Sequence, residues 1–478
     1  MRNGAEVTAE TDRSMLRRVV AGGGIGNFVE WFDYGVYGYL ATTLATVFFP
    51  SDNRALSLLA TFGAFGVSFL LRPLGGLFFG KLGDRAGRQR TLVTVIVIMS
   101  ASTFVIGLLP THEQIGLLAP TLLVLVRCVQ GFSAGGEYAG ASSFVIEHAP
   151  ANKRATYASA LPMSTTLAFI AAAGLTALLS ASLSASDFES WGWRVPFLIA
   201  GPLGLIGLFV RRNVEDTPAF RKVQAEGKVA AAPLRESLRT QGKPILLLLG
   251  FLMTNSVGYY MLATYLPSYF QEQVELSKGT ALLTNMAALL LLVVFIAVFA
   301  VLADRVGRKP IMLGSCLAFA ALTIPAFLLA QQGTVGALLG AQAIIAVAQA
   351  GTSAVTSLLL VEMFPTRVRY TSASVSYNLA YMLFGGTAPF VATWLVSQSG
   401  SGLAPAVYIT VIAVISVIAV LQIRETKNVS LLADTDEQEP ARSAALVVEQ
   451  IDQPDAPAHP GGRSAVRQIN DNQARWEH

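Results

Sequence analysis

The chain has 478 residues, of which 53% are hydrophobic and only 13% are charged, and its formal net charge at neutral pH is +4. Soluble domains carry about 25% charged residues, so a soluble core is excluded for this much apolar surface. The composition is that of a membrane protein, and the small positive excess does not indicate a nucleic-acid partner. Cys128 and Cys316 both lie in apolar stretches and offer neither a disulfide framework nor a metal site.

Twelve apolar segments, each long enough to cross a bilayer as a helix, follow one another along the chain. A membrane helix needs about 20 mainly apolar residues. Because lipid cannot satisfy backbone polar groups and these runs do not alternate, we predict helices and exclude a β-barrel. The predicted segments are 20–47, 57–80, 91–110, 116–144, 156–183, 193–211, 244–270, 279–302, 310–330, 335–360, 371–397 and 403–423. The first is longer than a signal-peptide core, so we expect it to remain in the chain.

Basic residues cluster in every second loop, and this bias predicts how the chain is oriented in the membrane. We expect a multi-pass protein of the cell inner (plasma) membrane with both termini in the cytoplasm. The predicted domains are a cytoplasmic N-terminus (1–19), an N-terminal six-helix bundle (20–211), a cytoplasmic linker (212–243), a C-terminal six-helix bundle (244–424) and a mostly disordered cytoplasmic tail (425–478).

Two loop motifs occur twice at nearly the same offset. The stretch GKLGDRAGRQR at Gly80–Arg90 returns as AVLADRVGRKP at Ala300–Pro310, an offset of 220 residues. The stretch EHAPANKR at Glu147–Arg154 returns as EMFPTRVR at Glu362–Arg369, an offset of 215 residues. This agreement indicates a duplicated six-helix unit, and a site between two such repeats is a known transporter plan.

These loop motifs resemble those of the major facilitator superfamily. Four stretches in order, GNFVEWFDYGVYGYLA (26–41), FLLRPLGGLFFGKLGDRAGRQRTL (69–92), VQGFSAGGEYAGASSFVIEHAP (129–150) and WGWRVPFLIAGPLGLIGL (191–208), together resemble its metabolite:proton symporter family. Within that family the chain most resembles the osmoregulatory proline and glycine betaine symporters, and the stretch VGYYMLATYLPSYF (257–270) is part of that likeness. The resemblance implies the major facilitator fold, an all-α membrane protein with twelve transmembrane helices in two pseudo-symmetric six-helix bundles.

Five charged residues lie well inside predicted membrane segments, and all five belong to the first half: Glu30, Asp33, Arg72, Arg127 and Glu137. Each charged side chain at that depth costs at least about 2.5–3.5 kcal/mol, so such residues are usually functional and paired. Glu30, Asp33, Arg127 and Glu137 are therefore predicted to couple transport to protons. A static ion cluster that only fixes helix packing stays open as an alternative, and so does a packing role for Arg72.

Aromatic and amide side chains on the first, seventh and eleventh segments are candidates for substrate binding. Aromatic faces attract quaternary ammonium groups, and an arginine can anchor a carboxylate. The resembled fold arranges these segments and the fourth around a cavity. The predicted binding residues are Trp31, Tyr34, Tyr37, Arg127, Asn255, Tyr259, Tyr260, Tyr377, Asn378 and Tyr381.

The repeated inner loops carry opposite charges that can form a gate. Contacts between them would hold the cytoplasmic side shut in one state and break in the other. The alternative is that these charges only set the topology. The predicted gate residues are Asp84, Arg85, Arg88, Glu147, Arg154, Asp304, Arg308, Glu362 and Arg369. The second copy departs from the superfamily pattern, with Ala303 where the first has Gly83.

The predicted function is proton-coupled import of a small polar metabolite by alternating access, with a zwitterionic compatible solute such as proline or glycine betaine as substrate. One alternative is proton symport of a dicarboxylate, a tricarboxylate or a shikimate-like acid. Two others are a membrane sensor that has lost transport and a drug/proton exporter. No nucleotide-binding loop is visible in the sequence, so we do not expect transport to be driven by ATP. We expect neither an enzyme nor a cofactor, and the expected partners are the solute, protons and membrane lipid.

Overall fold

The structure is a computed structural model that describes residues 23–86, 88–212, 233–365, 368–427, 429 and 431. Within these ranges it does not describe the side chains of residues 80–86, 88–90, 92, 136, 137, 144, 148, 210–212 and 233. The predicted N-terminus 1–19, residues 213–232 of the predicted linker and most of the predicted tail lie outside the described residues.

The described chain is almost entirely helical, and no strand occurs in these residues. Twelve long helices, numbered α1 to α12 in chain order, lie at 23–48, Arg54–Phe79, Arg88–Leu108, Leu118–Glu147, Ala151–Ser182, Arg194–Arg212, Gly242–Gln273, Lys278–Val306, Arg308–Ala330, Val335–Glu362, Arg369–Ser399 and Ala404–Gln422. Shorter helical segments lie at His112–Ile115, Ala185–Asp187, Phe188–Gly192 and Pro233–Thr240. Each long helix covers one of the twelve predicted segments, with ends that differ by a few residues.

Most of these helices are long and apolar enough to cross a membrane by themselves. In the part of the chain that the structure describes, nine pass that test, and the pair Ala185–Gly192 and Arg194–Phe209, bent by 43°, makes a tenth if it is one span. Helix α3 contains a shorter apolar stretch, Val93–Leu108. Helix α1 starts at the first described residue. The twelve helices therefore form one membrane-spanning bundle.

Packing divides the bundle into two halves of six helices. In the first half α2 packs on α4 and α3 on α6, and in the second half α10 packs on both α8 and α9 while α12 packs on α7 and α9. Between the halves α5 packs along α8 and α2 packs along α11. The inner faces of both halves therefore meet along the middle of the bundle.

Glycines let α2 and α4 approach closely. A Cβ atom at Gly75 would overlap the carbonyl oxygen of Phe132, and one at Gly131 would overlap the carbonyl oxygen of Ser68. Small residues at such contacts allow the backbones of membrane helices to touch. This contact holds the two arginines of the first half, Arg72 on α2 and Arg127 on α4, on neighbouring helices beside α1.

Two helices widen into π-helical turns next to the candidate binding residues. In α7 the turn Met261–Tyr265 directly follows Tyr260, and in α11 the turn Tyr381–Gly385 begins at a candidate residue. Such turns leave the regular hydrogen-bond ladder and occur frequently at functional sites. Both turns therefore lie next to the candidate aromatic residues of these helices.

Candidate functional site

A narrow cavity lies between the two halves of the bundle. It offers about 20 Å³ to the centre of a water-sized molecule, which is room for about one water. Helices α1, α4 and α5 of the first half and α7, α10 and α11 of the second contribute its lining. The lining residues are Trp31, Tyr138, Pro162, Thr165, Asn255, Tyr259, Ser353, Thr356, Tyr377 and Tyr381. None of them carries a charge, and this set is called the central chamber below.

Stacked aromatic rings form one wall of the central chamber. The rings of Tyr377 and Tyr381 are stacked with centroids 4.1 Å apart, and Tyr138 stacks on Tyr377 at 4.6 Å. Trp31 meets the edges of Tyr138 and Tyr381, in each case with centroids 6.4 Å apart. Such a group of π faces attracts a cation, and quaternary ammonium ligands are bound this way elsewhere.

Amide side chains fix the polar part of the chamber. Asn255 donates from Nδ2 to the hydroxyl of Tyr381 at 3.0 Å, and Gln349 donates from Nε2 to Asn255 Oδ1 at 3.0 Å. In the first half Trp31 donates from Nε1 to Asn27 Oδ1 at 3.0 Å. Both Gln349 and Asn27 are buried and were missed in the sequence, where neither stands out among the polar residues of the helices.

Asp33 and Arg127 form a buried ion pair behind the chamber. Arg127 Nη1 lies 3.3 Å from Asp33 Oδ2, and both side chains are at most 3% exposed. Gln130 completes the group, because its Nε2 donates to Asp33 Oδ2 and to Thr103 Oγ1, each at 2.8 Å, and its Oε1 accepts from Arg127 at 2.8 Å. Removing one charge of such a pair leaves the other uncompensated, so the pair responds strongly to protonation.

A second buried ion pair joins Glu30 and Arg72. Arg72 Nη2 lies 3.6 Å from Glu30 Oε1, and both side chains are at most 2% exposed. The Arg72 guanidinium also lies over the rings of Phe69, Tyr34 and Trp31, at 4.5, 4.8 and 5.4 Å from their centroids. Arg72 therefore does not extend to the membrane surface. The side chain of Glu137, the remaining predicted proton-coupling residue, lies outside the described residues.

Several predicted binding residues lie near the chamber without lining it in this conformation. Tyr34 lies between the two arginines, since its ring centroid is 4.8 Å from the guanidinium of Arg72 and 5.1 Å from that of Arg127. The hydroxyl of Tyr37 donates to the Thr61 carbonyl at 3.0 Å. Three more lie behind the lining: Tyr260 packs on Phe69 with centroids 5.4 Å apart, Asn378 donates to the Gly135 carbonyl at 2.7 Å, and Arg127 is held by Asp33.

The end of the bundle that carries the repeated loops is named the inner end, following the predicted orientation, and the other is the outer end. At the inner end Asp304 of α8 binds across the two halves to the part of α5 that becomes α-helical at Arg154, after the 3-10 turn Ala151–Lys153. Its Oδ1 accepts from the backbone N–H of Ala155 at 2.9 Å, and its Oδ2 accepts from the backbone N–H and the hydroxyl of Thr156 at 2.9 and 2.7 Å. A carboxylate at a helix N-terminus satisfies free N–H groups and interacts favourably with the helix dipole.

Ion pairs extend this inner contact. Arg308 binds Glu362 through two parallel hydrogen bonds of 3.0 and 3.1 Å within the second half. Between the halves Arg369 lies 3.4 Å from Glu147, and Arg154 lies 3.9 Å from Glu362. The second copy of the loop motif thus takes part in the contact although it departs from the superfamily pattern. The side chains of Asp84, Arg85 and Arg88 lie outside the described residues.

The first residues after α12 bind at the inner end as well. Glu425 accepts from the backbone N–H groups of Arg308 and Lys309 at 2.9 and 3.0 Å, and Arg154 donates to the Val429 carbonyl at 2.8 Å. Partial burial raises the pKa of Glu425, but backbone donors from Arg308, Lys309 and the two residues after Glu425 outweigh it and hold the pKa below its usual value. The start of the predicted disordered tail is therefore an ordered part of the inner contact.

The outer end is closed by contacts that the sequence analysis missed. Arg54 binds Glu272 with N–O distances of 2.9 and 3.1 Å, and the hydroxyl of Tyr39 donates to Asn285 Oδ1 at 3.0 Å. Lys278 donates to Thr43 Oγ1 at 2.6 Å. Each of these bonds joins the first half to the second. The central chamber is therefore shut from both ends, and the structure is an occluded conformation.

A bundle of two six-helix halves around an enclosed central chamber, with separate contacts closing each end, is the architecture of a secondary transporter. The sequence family agrees with this class. The model of the family described as "Sugar (and other) transporter" matches residues 20–241 and 221–435, and the chain belongs to that family. The chain is therefore a transporter and not an enzyme.

Curated relatives cover most of the chain. It is 39% identical to the glycine betaine/proline/ectoine/pipecolic acid transporter OusA of Dickeya dadantii, over 88% of this chain and 85% of that protein. It is 38% identical to the proline/betaine transporter of Escherichia coli K12, over 87% of this chain and 85% of the relative. The ectoine/proline transporter ProP of Corynebacterium glutamicum is 36% identical, over 92% of this chain and 90% of its own length. The resemblance inferred from the sequence motifs is confirmed.

Solved structures confirm the fold. A partially occluded inward-open structure of the xylose transporter XylE from E. coli matches with a TM-score of 0.69 and 19% identity, over 87% of this chain and all of that one. A second structure shows the major facilitator superfamily proton:xylose symporter XylE bound to 6-bromo-6-deoxy-D-glucose. It matches with a TM-score of 0.71 and 19% identity, over 88% of this chain and 98% of that one. The predicted major facilitator fold is therefore correct.

Proposed function

We propose that this transporter imports a small zwitterionic solute, such as proline or glycine betaine, together with protons across the bacterial inner membrane. Both termini then face the cytoplasm, and the halves 20–211 and 244–424 move as units around the central chamber. The single observation that carries the proposal is the buried Asp33–Arg127 pair, held by Gln130 and connected through the ring of Tyr34 to Trp31 of the uncharged aromatic chamber.

The aromatic chamber supports the zwitterionic substrate class. A quaternary or secondary ammonium group fits against the aromatic rings of Trp31, Tyr377 and Tyr381. Because the lining is uncharged, it does not repel such a group and does not hold it in a fixed ion pair. The relatives whose names include betaine and proline point to the same chemistry. The lining of the central chamber itself offers no fixed cation to a multiply charged acid.

The Asp33–Arg127 pair supports proton coupling. A proton on Asp33 removes the negative partner of Arg127, which is costly to leave buried alone, and the surrounding helices must then rearrange. Gln130 can exchange its bonds between Asp33, Arg127 and Thr103 while this happens. Protonation thus biases the equilibrium between conformations that expose Asp33 to one side or the other.

The two sets of end contacts support alternating access. Asp304, Glu147 and Arg154 join the halves at the inner end, and Arg54 with Glu272 joins them at the outer end. Opening either end requires breaking one set while the other set holds. The occluded conformation is then the intermediate between outward-open and inward-open states.

Uptake into proteoliposomes tests this function. Radiolabelled glycine betaine, proline, citrate and 2-oxoglutarate are offered under an imposed pH gradient, with and without a protonophore. We expect glycine betaine and proline to accumulate only while the gradient lasts. Accumulation that survives collapse of the proton gradient would refute the coupling, and uptake of citrate or 2-oxoglutarate alone would refute the substrate class.

Variants locate the coupling. Asp33→Asn and Glu30→Gln are expected to abolish gradient-driven accumulation while binding of glycine betaine persists. Asp187→Asn removes an exposed carboxylate in a short outer helix, where it accepts a hydrogen bond from the Ser184 hydroxyl, and it serves as the matched control. Full accumulation in both test variants would remove these residues from the mechanism.

A further inference from the structure

The Arg72 side chain has hydrogen-bonding capacity that its surroundings do not use. It is 1% exposed. Among the described residues its Nε and Nη2 atoms have no hydrogen-bond acceptor, and the nearest oxygen of Glu30 lies 3.6 Å from Nη2. A buried donor without an acceptor is costly, so a planar fork of N–H groups in this state favours an incoming acceptor.

The position of Arg72 connects it to the central chamber. Its guanidinium lies over the ring of Trp31, 5.4 Å from the centroid, and the same ring lines the chamber. Aromatic rings of Tyr34 and Phe69 cover the guanidinium on other sides, so little competing water reaches it. A solute whose cationic end lies against Tyr377 and Tyr381 would direct its other end toward Trp31 and Arg72.

Resting on the proposed function, we propose that Arg72 is the anchor for the substrate carboxylate and that it exchanges Glu30 for that carboxylate when the solute binds. The loose pair with Glu30 compensates the arginine charge while no solute is bound. The solute then supplies another carboxylate, which takes the place of Glu30 and accepts from Nε and Nη2 of Arg72. The site thereby selects a zwitterion with a carboxylate over a cation that has none.

Glu30 is the built-in competitor in this exchange. Since both carboxylates use the same guanidinium, whatever weakens the bond between Glu30 and Arg72 strengthens solute binding. Arg127 is less suited to this purpose, because its Nη1 donates to Asp33 and Gln130 and its Nη2 donates to Ser68, which leaves only Nε without an acceptor among the described residues. The carboxylate anchor thus moves from Arg127, as the sequence suggested, to the arginine on α2.

Binding of glycine betaine and of choline, which has the same cationic head without a carboxylate, tests the assignment. The key variant is the double substitution Glu30→Gln/Arg72→Gln, which leaves the local net charge unchanged. We expect it to bind choline as the wild type does and to lose about tenfold to a hundredfold in affinity for glycine betaine, as expected for loss of charge-assisted hydrogen bonds. Glu30→Gln alone should raise the preference for glycine betaine over choline.

The controls separate anchoring from folding. Arg194→Gln removes another arginine, which donates to the Gly107 and Leu109 carbonyls and lies over the Trp193 ring at the outer end, and it should leave the ratio of the two affinities unchanged. The assignment of Arg72 would be overturned, without affecting the proposed function, by either of two results in a folded double variant. One is an unchanged preference for glycine betaine over choline, and the other is an equal loss of affinity for both ligands. A wild-type protein that binds neither glycine betaine nor proline would overturn the proposed function and this assignment with it.

Discussion

Removal of the Asp304 carboxylate is the sharpest test of the inner gate. Asp304 belongs to the second half of the bundle, and all three of its hydrogen-bond donors belong to Ala155 and Thr156 of the first half. These bonds exist only while the inner end is closed. Asp304→Ala therefore removes stabilisation from the inward-closed conformations. Within its own half Asp304 lies 3.7 Å from Arg308, which stays bonded to Glu362 in the variant.

The size of the effect follows from the three bonds. Hydrogen bonds to a charged group contribute about 1.5–3 kcal/mol each in protected sites, and water replaces part of this at the partly buried ends of these two helices. We therefore expect a loss of about 2–4 kcal/mol from the closed inner end. That corresponds to a shift of about 30-fold to 900-fold toward inward-open conformations.

Cysteine labelling measures this shift. In a background without Cys128 and Cys316, a single cysteine replaces Ser357, which is buried one turn from the chamber and bonded to Tyr138 across the halves at 2.9 Å. We expect a maleimide applied from the inner side to label it at least about 30-fold faster in the Asp304→Ala variant. Thr156→Val removes one of the three bonds and should give an intermediate rate. Equal labelling in wild type and Asp304→Ala would refute the gating argument.

Three further predictions concern the outer end, the helix contact and the segment after α12. Arg54→Ala should speed labelling of the cysteine at position 357 from the outer side by a few-fold only, because the Arg54–Glu272 pair is partly exposed. High salt should produce the same increase in the wild type. A labelling rate that does not depend on salt would contradict this. Gly131→Leu should abolish folding, measured as loss of a monodisperse protein, because a side chain there overlaps the Ser68 backbone, whereas Leu at an exposed lipid-facing site should not. The pKa of Glu425 is lowered in the folded protein, so its ionised carboxylate stabilises the fold above the usual carboxyl pKa. This stabilisation is lost as the pH falls through the lowered pKa. The difference in Tm between wild type and Glu425→Gln should therefore vanish at acidic pH.

The sequence predicted the membrane helices and the buried charges well, for a physical reason. Burial of a charge in lipid is so costly that each intramembrane acid implies a basic partner, and few candidates existed. Two acids one turn apart on α1 and one arginine on each of two neighbouring helices left little choice. The pairs Asp33–Arg127 and Glu30–Arg72 were therefore within reach, although which acid binds which arginine was not.

The sequence did not predict the contacts that depend on how the halves meet. Arg54 and Glu272 are 218 positions apart, and each alone is an ordinary charge at the end of a membrane segment. The same holds for Glu425, which follows the last membrane helix and shows its role only through its backbone partners. Gln130 was missed because an amide carries no charge that would draw attention to it in lipid.

Simultaneous measurement of solute flux and electrical current tests the central claim most directly. A zwitterion that enters with one proton carries one positive charge, and a membrane potential of 100 mV then contributes about 2.3 kcal/mol, which corresponds to about fiftyfold accumulation. We expect glycine betaine to drive an inward positive current in the wild type, and Asp33→Asn to exchange labelled solute without any current. A full current and full accumulation in Asp33→Asn would contradict the account.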